Sequence, residues 1–501
     1  MSDNSYKDVI KTNTAIGGVR VLQMIIQIVR TKIFAVFLGA AGMGVQSLLA
    51  STLQALHQFS TFGIFKSAVR DISISKASGE KDKVKKTISV FNVLVLFFGV
   101  FGVIVCASFS SVLSKSVFGN SDYTWAFVIV SLALFFEAFT NGFITIFQGL
   151  RLVKKLTSSS LIGAVVSLVA IVPLIVIWKD KAIPYAIVVN YFCIMLVYYF
   201  SYRRNVSNSG LHFDFNKTEI KQIGKPILKN GTLLMLSYCI YSLVGLLTSS
   251  FIARMSDMET VGFFNAANGC TYANIAIFTY VLSSDYYPRM SALFHDKVAF
   301  GDMYNKQIEI VILGLTPIVC LFIVFAKYIV IILYSYEFLI IIDYVRIMAM
   351  SLLLRIVWQT CSTTFMASGH NKLYLWFDAI VGNGLFLLFN MLAFYYWGLK
   401  GISYSFIVSS LVVLVLLVFV VKKVTTARMK IKVIGLLVAS LLSLAVLYCC
   451  VTYLAGVWQI VFSSIVSICV LFVSLFLLNR RMNLKEVFHS ISVRIHGNKK
   501  Q

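Results

Sequence analysis

The chain has 501 residues, of which 59% are hydrophobic and only 13% charged, with a formal net charge of +24. A soluble protein carries about 25% charged residues, so composition excludes an ordinary soluble enzyme or nucleic-acid-binding domain and implies an all-α polytopic membrane protein. The nine cysteines, Cys106, Cys193, Cys239, Cys270, Cys320, Cys361, Cys449, Cys450 and Cys469, all fall in apolar runs; they read as buried thiols, neither disulfides nor metal ligands.

The polar start MSDNSYKDVIKTN precedes an apolar run too long for a signal-peptide core, so no cleavable leader is expected. Fourteen spans follow, near 12–38, 43–69, 87–112, 123–150, 157–178, 182–202, 226–253, 260–288, 307–326, 340–368, 373–397, 401–421, 433–454 and 457–479. The first carries Arg20, Gln23, Gln27 and Arg30 within an arc of roughly 80° of an otherwise apolar helix. A bilayer penalises a buried arginine by about 2.5–3.5 kcal/mol, so this stripe is expected to line a wet, anion-friendly cavity. Span 2 places Gln46, Gln54, His57 and Thr61 on one side. Span 4 offers Glu137, Asn141 and Gln148. Pro173 and Pro317 lie inside spans 5 and 9 and should kink them. The connection 203–225 suggests a short interfacial helix around Ile220 and Ile223 before Pro226. Span 7 offers Tyr238, Tyr241 and Thr248, and span 8 a stripe of Asn265, Asn268, Tyr272, Thr279, Ser283 and Tyr286. The stretch 327–339 is too short to span and reads as an outer interfacial piece. Span 10 presents Arg355, Gln359 and Ser362, and span 11 holds Asp378. Leu484, Phe488, Ile491 and Ile495 make the tail an amphipathic surface helix.

With the N-terminus placed in the cytoplasm, the outer connections hold six of the 44 Lys and Arg: Lys115, Lys179, Lys181, Arg254, Lys327 and Lys400. Six more lie within spans: Arg20, Arg30, Lys32, Lys66, Arg346 and Arg355. The other 32 are cytoplasmic. That asymmetry follows the positive-inside rule and puts both termini in the cytoplasm. The positive charge then faces anionic headgroups, and nucleic acid is a poor explanation.

A weak internal repeat is visible. Gly44 and Gly262 follow spans 1 and 7 at an offset of 218, and Gly149 and Gly369 follow spans 4 and 10 at 220. A duplicated six-span unit gives two parallel copies about an axis along the membrane normal. The expected architecture is two pseudo-symmetric six-helix lobes, 1–205 and 206–425, around a central cavity. Two extra helices occupy 426–479 and a cytoplasmic tail 480–501.

By helical rise Arg20 lies about 12 Å and Arg30 about 27 Å from the start of span 1, with Arg355 near mid-membrane. Arginine suits phosphate because its planar fork donates two parallel hydrogen bonds and stays charged. Arg20, Arg30 and Arg355 are the candidate ligands for an anion that must cross. Gln23, Gln27, Gln54, His57, Asn265, Asn268, Tyr272 and Gln359 are the candidate cavity-lining polar groups, and Glu137 and Asp378 the candidates for ion coupling. Each has a structural alternative. Arg20 could snorkel or form an ion pair, Arg30 and Lys32 could be interfacial anchors, and His57 could be an interior hydrogen-bonded histidine. Glu137 and Asp378 could form interhelical salt bridges, and the Asn/Tyr stripe could be polar helix packing. Arg346 pairs locally with Asp343, and Asp285 with Arg289. No nucleotide loop, metal spacing or nucleophile–base arrangement is present, so no enzyme activity, cofactor or metal is expected.

Several segments resemble the O-antigen and enterobacterial-common-antigen translocases of Wzx type, within the multidrug/oligosaccharidyl-lipid/polysaccharide (MOP) exporter superfamily. They are KIFAVFLGAAGMGVQSLLAS at 32–51, FGNSDY at 118–123, FQGLRLVKKLTSSSLIGA at 147–164, IKQIGKPILKNG at 220–231 and YYPRMSAL at 286–293. The resemblance spans about 1–430; Ala40 departs from it, since many members have proline there. It implies two six-helix lobes around a cationic lumen in the bacterial inner membrane. It implies flipping of an undecaprenyl-pyrophosphate-linked oligosaccharide to the periplasmic leaflet by alternating access. First-helix arginines would contact the pyrophosphate, matching Arg20 and Arg30. It also implies membrane lipids as partners, with the O-antigen polymerase and chain-length regulator as further ones. Spans 13 and 14 resemble helices that hold the lipid tail in the lipid II flippase. The alternatives are a cation-coupled drug exporter, whose cavity should carry carboxylates, and a membrane polymerase or ligase, which needs a large outer catalytic loop.

Overall fold

The computed structural model describes residues 3–206, 211–272, 286–425 and 427–482, without the side chains of 3–18, 20, 230, 232–234, 236–238, 371 and 482. The expectations for Thr279, Ser283, Asp285, the side chains of Arg20 and Tyr238, and the tail helix at 484–495 lie outside the described residues. Among the described residues all regular structure is helical. In order the longer helices are α1 (Asp3–Ser60), α2 (Ile64–Ala77), α3 (Lys81–Ser108), α4 (Ser110–Phe118), α5 (Thr124–Gly149), α6 (Val153–Trp178) and α7 (Ile183–Asn205). They continue with α8 (Lys225–Met255), α9 (Met258–Thr271), α10 (Tyr287–Ala292), α11 (Lys297–Leu333), α12 (Ile342–Ala367), α13 (Gly382–Val424), α14 (Ile431–Tyr453) and α15 (Gly456–Met482).

The expected spans 1 and 2 form one rod, α1, broken at a single residue. Gly39 takes φ 63°, ψ −169°, open to glycine and strained for other residues. The helix restarting after it has an unsatisfied first N–H, as helix starts do. That donor, Ala40 N–H, is taken by Glu337 Oε1 at 3.2 Å. The expected spans 11 and 12 are likewise one rod, α13, broken at Gly398 (φ 59°, ψ −147°). Pro173 and Pro317 sit inside α6 and α11, which run on through them. A one-turn helix, Lys217–Glu219, and a π-helical turn, Ile220–Gly224, lead into α8 where the interfacial piece was expected. The stretch 327–339 differs from expectation. Its first part completes α11 and the rest begins a 3-10 turn, Tyr336–Ile341.

The chain packs as two compact units: residues 1–265 with 332–337, and residues 266–331 with 338–501. These are packing units; the repeat expected from the sequence divides at 205/206. The first has an aromatic core of Phe91, Phe143, Phe147, Tyr198 and Tyr202. The second centres on Tyr286, Tyr304, Trp358 and Phe365. Helices α6, α14 and α15 keep broad apolar faces exposed, as with Val169, Val446 and Phe472. That suits a bilayer, where lipid replaces water against such faces. Cys449 and Cys469 are exposed on α14 and α15, not buried, because these helices pack along one side only.

The duplication is written in hydrogen bonds. After α5, Leu150 N–H donates to Ile146 O, Arg151 N–H to Gln148 O and Leu152 N–H to Phe147 O. After α12, Ser368 N–H donates to Thr364 O, Gly369 N–H to Met366 O and His370 N–H to Phe365 O. Each pair is offset by 218. The left-handed residue is Arg151 (φ 51°) in one copy and Gly369 (φ 78°) in the other. The register is therefore 218 at this turn, and Gly369 answers to Arg151, not to Gly149.

Candidate functional site

Each unit holds its own polar constellation. In the first, α1 turns its stripe toward α6 and α7. Gln23 donates to Ser160 Oγ at 2.6 Å on α6, and Arg30 Nη1 donates to Asn190 Oδ1 at 3.1 Å on α7. The Arg30 guanidinium also lies 5.3 Å from the Phe34 ring centroid. Gln27 is exposed, and Arg20 lies on the same helix. On α5, Glu137 keeps a buried Oε2 that accepts no hydrogen bond among the described residues. Tyr191 lies within electrostatic reach of both Glu137 and Arg30. His57 is buried, stacked on Phe65 at 5.7 Å, with its Nε2 3.3 Å from Asn141 Nδ2. Gln54 is exposed. Asn265 donates to Val261 O at 3.0 Å and to Ser249 Oγ at 3.3 Å, as helix-packing amides do.

In the second unit Arg355 is buried on α12, its guanidinium 3.7 Å from the centroid of the Trp358 ring and 5.9 Å from that of Phe386. Such stacking uses the ring quadrupole to hold a cation. A side chain at Gly382 would collide with that indole. Asp378 sits on a π-helical stretch, Leu375–Val381, and accepts from Ser362 Oγ at 3.3 Å. Asn383 donates to the carbonyls of Asp378 and Ala379, both at 3.0 Å. These bonds serve carbonyls that the wider helix leaves poorly paired. Arg355 and Asp378 attract without forming an ion pair. Tyr272 Oη meets Ser351 Oγ at 2.7 Å, while Asn268 and Gln359 are half-buried.

The register of 218 relates the two constellations. Glu137 answers to Arg355, Asn141 to Gln359, Gln54 to Tyr272 and Ser160 to Asp378. The same helix face is reused with an acid at its centre in one copy and a base in the other. Sequence reasoning picked out the charged residues but missed Asn190, Tyr191 and Trp358, which hold or flank them. An isolated Asn in span 6 and a Trp one turn after a mid-span Arg were the available signals.

Two glycine contacts lie within the first unit. A Cβ on Gly44 would overlap Met258 O, and one on Gly262 would overlap Ala40 O. The contact is reciprocal, and both partners differ by 218. Near the other end of α1, Gly63 (φ 64°) and Gly231 lie backbone to backbone. Close approach at small residues is how helices pack tightly in lipid.

A family model described as polysaccharide biosynthesis protein matches residues 9–294. No curated protein matches the chain. Among solved structures, the chain is similar to the lipid II flippase MurJ in an inward closed conformation (TM-score 0.68, 13% identity, covering 94% of this chain and 99% of that one). It is also similar to an inward-facing multidrug resistance MATE family transporter of the MOP superfamily (TM-score 0.67, 15% identity, covering 83% and 95%). At these identities the likeness is one of fold: a helical, two-lobed membrane architecture.

Proposed function

The chain belongs to the polysaccharide biosynthesis protein family, and on that premise we propose that it is a flippase for an undecaprenyl-pyrophosphate-linked oligosaccharide of O-antigen type. It moves its substrate from the cytoplasmic to the periplasmic leaflet of the bacterial inner membrane by alternating access. The observation that carries this reading is Arg355: a buried arginine in an apolar helix, stacked on Trp358 and free of any ion pair among the described residues. A cation held at such cost in lipid suits an anionic group, and the arginine fork suits pyrophosphate. Arg20 and Arg30 supply further cationic contacts from α1. The Gln, Asn and Tyr side chains offer hydrogen bonds to sugar, and the prenyl tail stays in lipid. Glu137 and Asp378 are the groups on which a coupling ion would act. The glycine contacts at the two ends of the α1 half beginning at Ala40 are where the protein would part to expose the substrate to either side.

The unbonded carboxylate oxygen of Glu137 favours a second reading, cation-coupled drug export. Reconstitution in liposomes separates the two. Transbilayer movement of a polyprenyl-pyrophosphate oligosaccharide, lost in a folded Arg355→Gln variant, is the expected result. Movement of a lipophilic cation with none of the oligosaccharide would favour the exporter.

A further inference from the structure

Of the six cations that the topology places on the outer side, two meet in one place. Lys115, on α4, and Arg254, in the last turn of α8, come from separate connections. With Phe118, Gly119, Asn120 and Ala253 they line an open pocket of about 410 Å³ whose surface is mostly polar. Arg254 donates to Ser116 O, one of the carbonyls that the end of α4 leaves unpaired, and this fixes its guanidinium at the rim. Gly119, left-handed at φ 81°, turns the chain there and adds no side chain to the opening. Lys115 forms no hydrogen bond or ion pair among the described residues, and Arg254 has no carboxylate partner among them. Positive charge is depleted on the outer side of membrane proteins, so two convergent, uncompensated cations there are not a by-product of topology.

The surroundings specify depth. Val112, one turn before Lys115 on the same face, is 58% exposed, and Trp125, just beyond the stacked pair Phe118 and Tyr123, is 75% exposed. Exposed indoles mark the headgroup level of a bilayer. We propose that this pocket binds the phosphate of a lipid headgroup in the outer leaflet. The arginine donates paired hydrogen bonds and the lysine adds a mobile point charge. The outer placement rests on the topology inferred above; the binding does not require the chain to be a flippase. Two sources share the chemistry, a membrane phospholipid and the diphosphate of an emerging prenyl carrier.

The test is lipid retention by the full-length protein, read by native mass spectrometry after exposure to phosphatidylglycerol, farnesyl diphosphate or phosphate-free diacylglycerol. The wild type should retain a phosphate lipid and not diacylglycerol. Lys115→Gln, which breaks no native contact, should weaken retention severalfold, and Lys115→Gln with Arg254→Gln about tenfold or more. Loss confined to phosphatidylglycerol identifies a headgroup site; loss confined to farnesyl diphosphate identifies an exit site for the carrier. Equal retention by wild type and Lys115→Gln, with unchanged unfolding temperature, overturns the proposal. So does labelling of Ser111→Cys by an impermeant maleimide only from the cytoplasmic side. Because the readout is binding, it stands whether or not transport is found.

Discussion

Positions 137 and 355 are the same place in two copies of one helical unit, and one holds an acid where the other holds a base. Glu137 is half-buried, with one carboxylate oxygen that accepts no hydrogen bond among the described residues. Arg355 is buried but supported, with an indole 3.7 Å beneath its guanidinium and Asp378 within electrostatic reach. Duplication kept the backbone and its turns while the chemistry diverged. The arginine has an aromatic ring and a carboxylate beside it.

The largest effect should come from erasing that difference. Arg355→Glu places a second carboxylate near Asp378 and leaves the Trp358 face without a cation. We expect a loss on the order of 3 kcal/mol of substrate stabilisation, about a hundredfold in the liposome assay. Arg355→Lys keeps the charge but loses the planar stack and should fall between. Next is Glu137→Gln. Removing an unbonded buried carboxylate should leave thermal stability unchanged or raise it by about 1 kcal/mol. Transport driven by an ion gradient should fall while downhill movement persists. A fall in both would assign Glu137 to packing or substrate binding instead.

A double-mutant cycle on Arg30→Met and Asn190→Leu sharpens the comparison from the other arginine. A coupling of about 1 kcal/mol in unfolding free energy is expected if Asn190 holds the guanidinium. The smallest effect lies in the contact that ties the start of α14 to α11. Lys430 Nζ donates to Asp302 Oδ1 at 2.7 Å, and this hydrogen bond, aided by the charge of the lysine, holds the Asp302 carboxyl below its usual range. A depressed carboxylate contributes stability above the unfolded-state pKa, near 4, and loses it as pH falls through the folded value. The pair is exposed, so Asp302→Asn should shift stability only slightly at neutral pH, with any difference from wild type vanishing in acid.

Much of the architecture was legible because bilayer spans are long, apolar and flanked by asymmetric charge. The repeat was legible at Gly44 and Gly262, where backbone contact demands glycine in both copies. It slipped at Gly149 and Gly369 because the turn repeats a conformation and not a residue type: Arg151 takes up the left-handed angle that Gly369 supplies. With that register off by two, the kinship of Glu137 and Arg355 stayed hidden. The charged residues announced themselves by their cost in lipid, whereas Asn190 and Trp358 look ordinary in sequence and gain meaning only from what folds against them. The stripe on α1 was visible as a stripe; that Gln23 and Arg30 bond to α6 and α7 was not, since helical periodicity gives a face and not its neighbour.

The contact of Ala40 and Gly44 with Met258 and Gly262 has the form that two identical subunits make about a two-fold axis. Residue i touches the partner of j, and j touches the partner of i. One chain thus carries, within its first unit, a single reciprocal contact of the kind a homodimer makes. Such a contact admits no larger side chain at either glycine. A larger residue at Gly44 strikes the Met258 carbonyl just as one at Gly262 strikes that of Ala40, so the backbone holds both places to glycine, whereas positions 137 and 355 hold different residues.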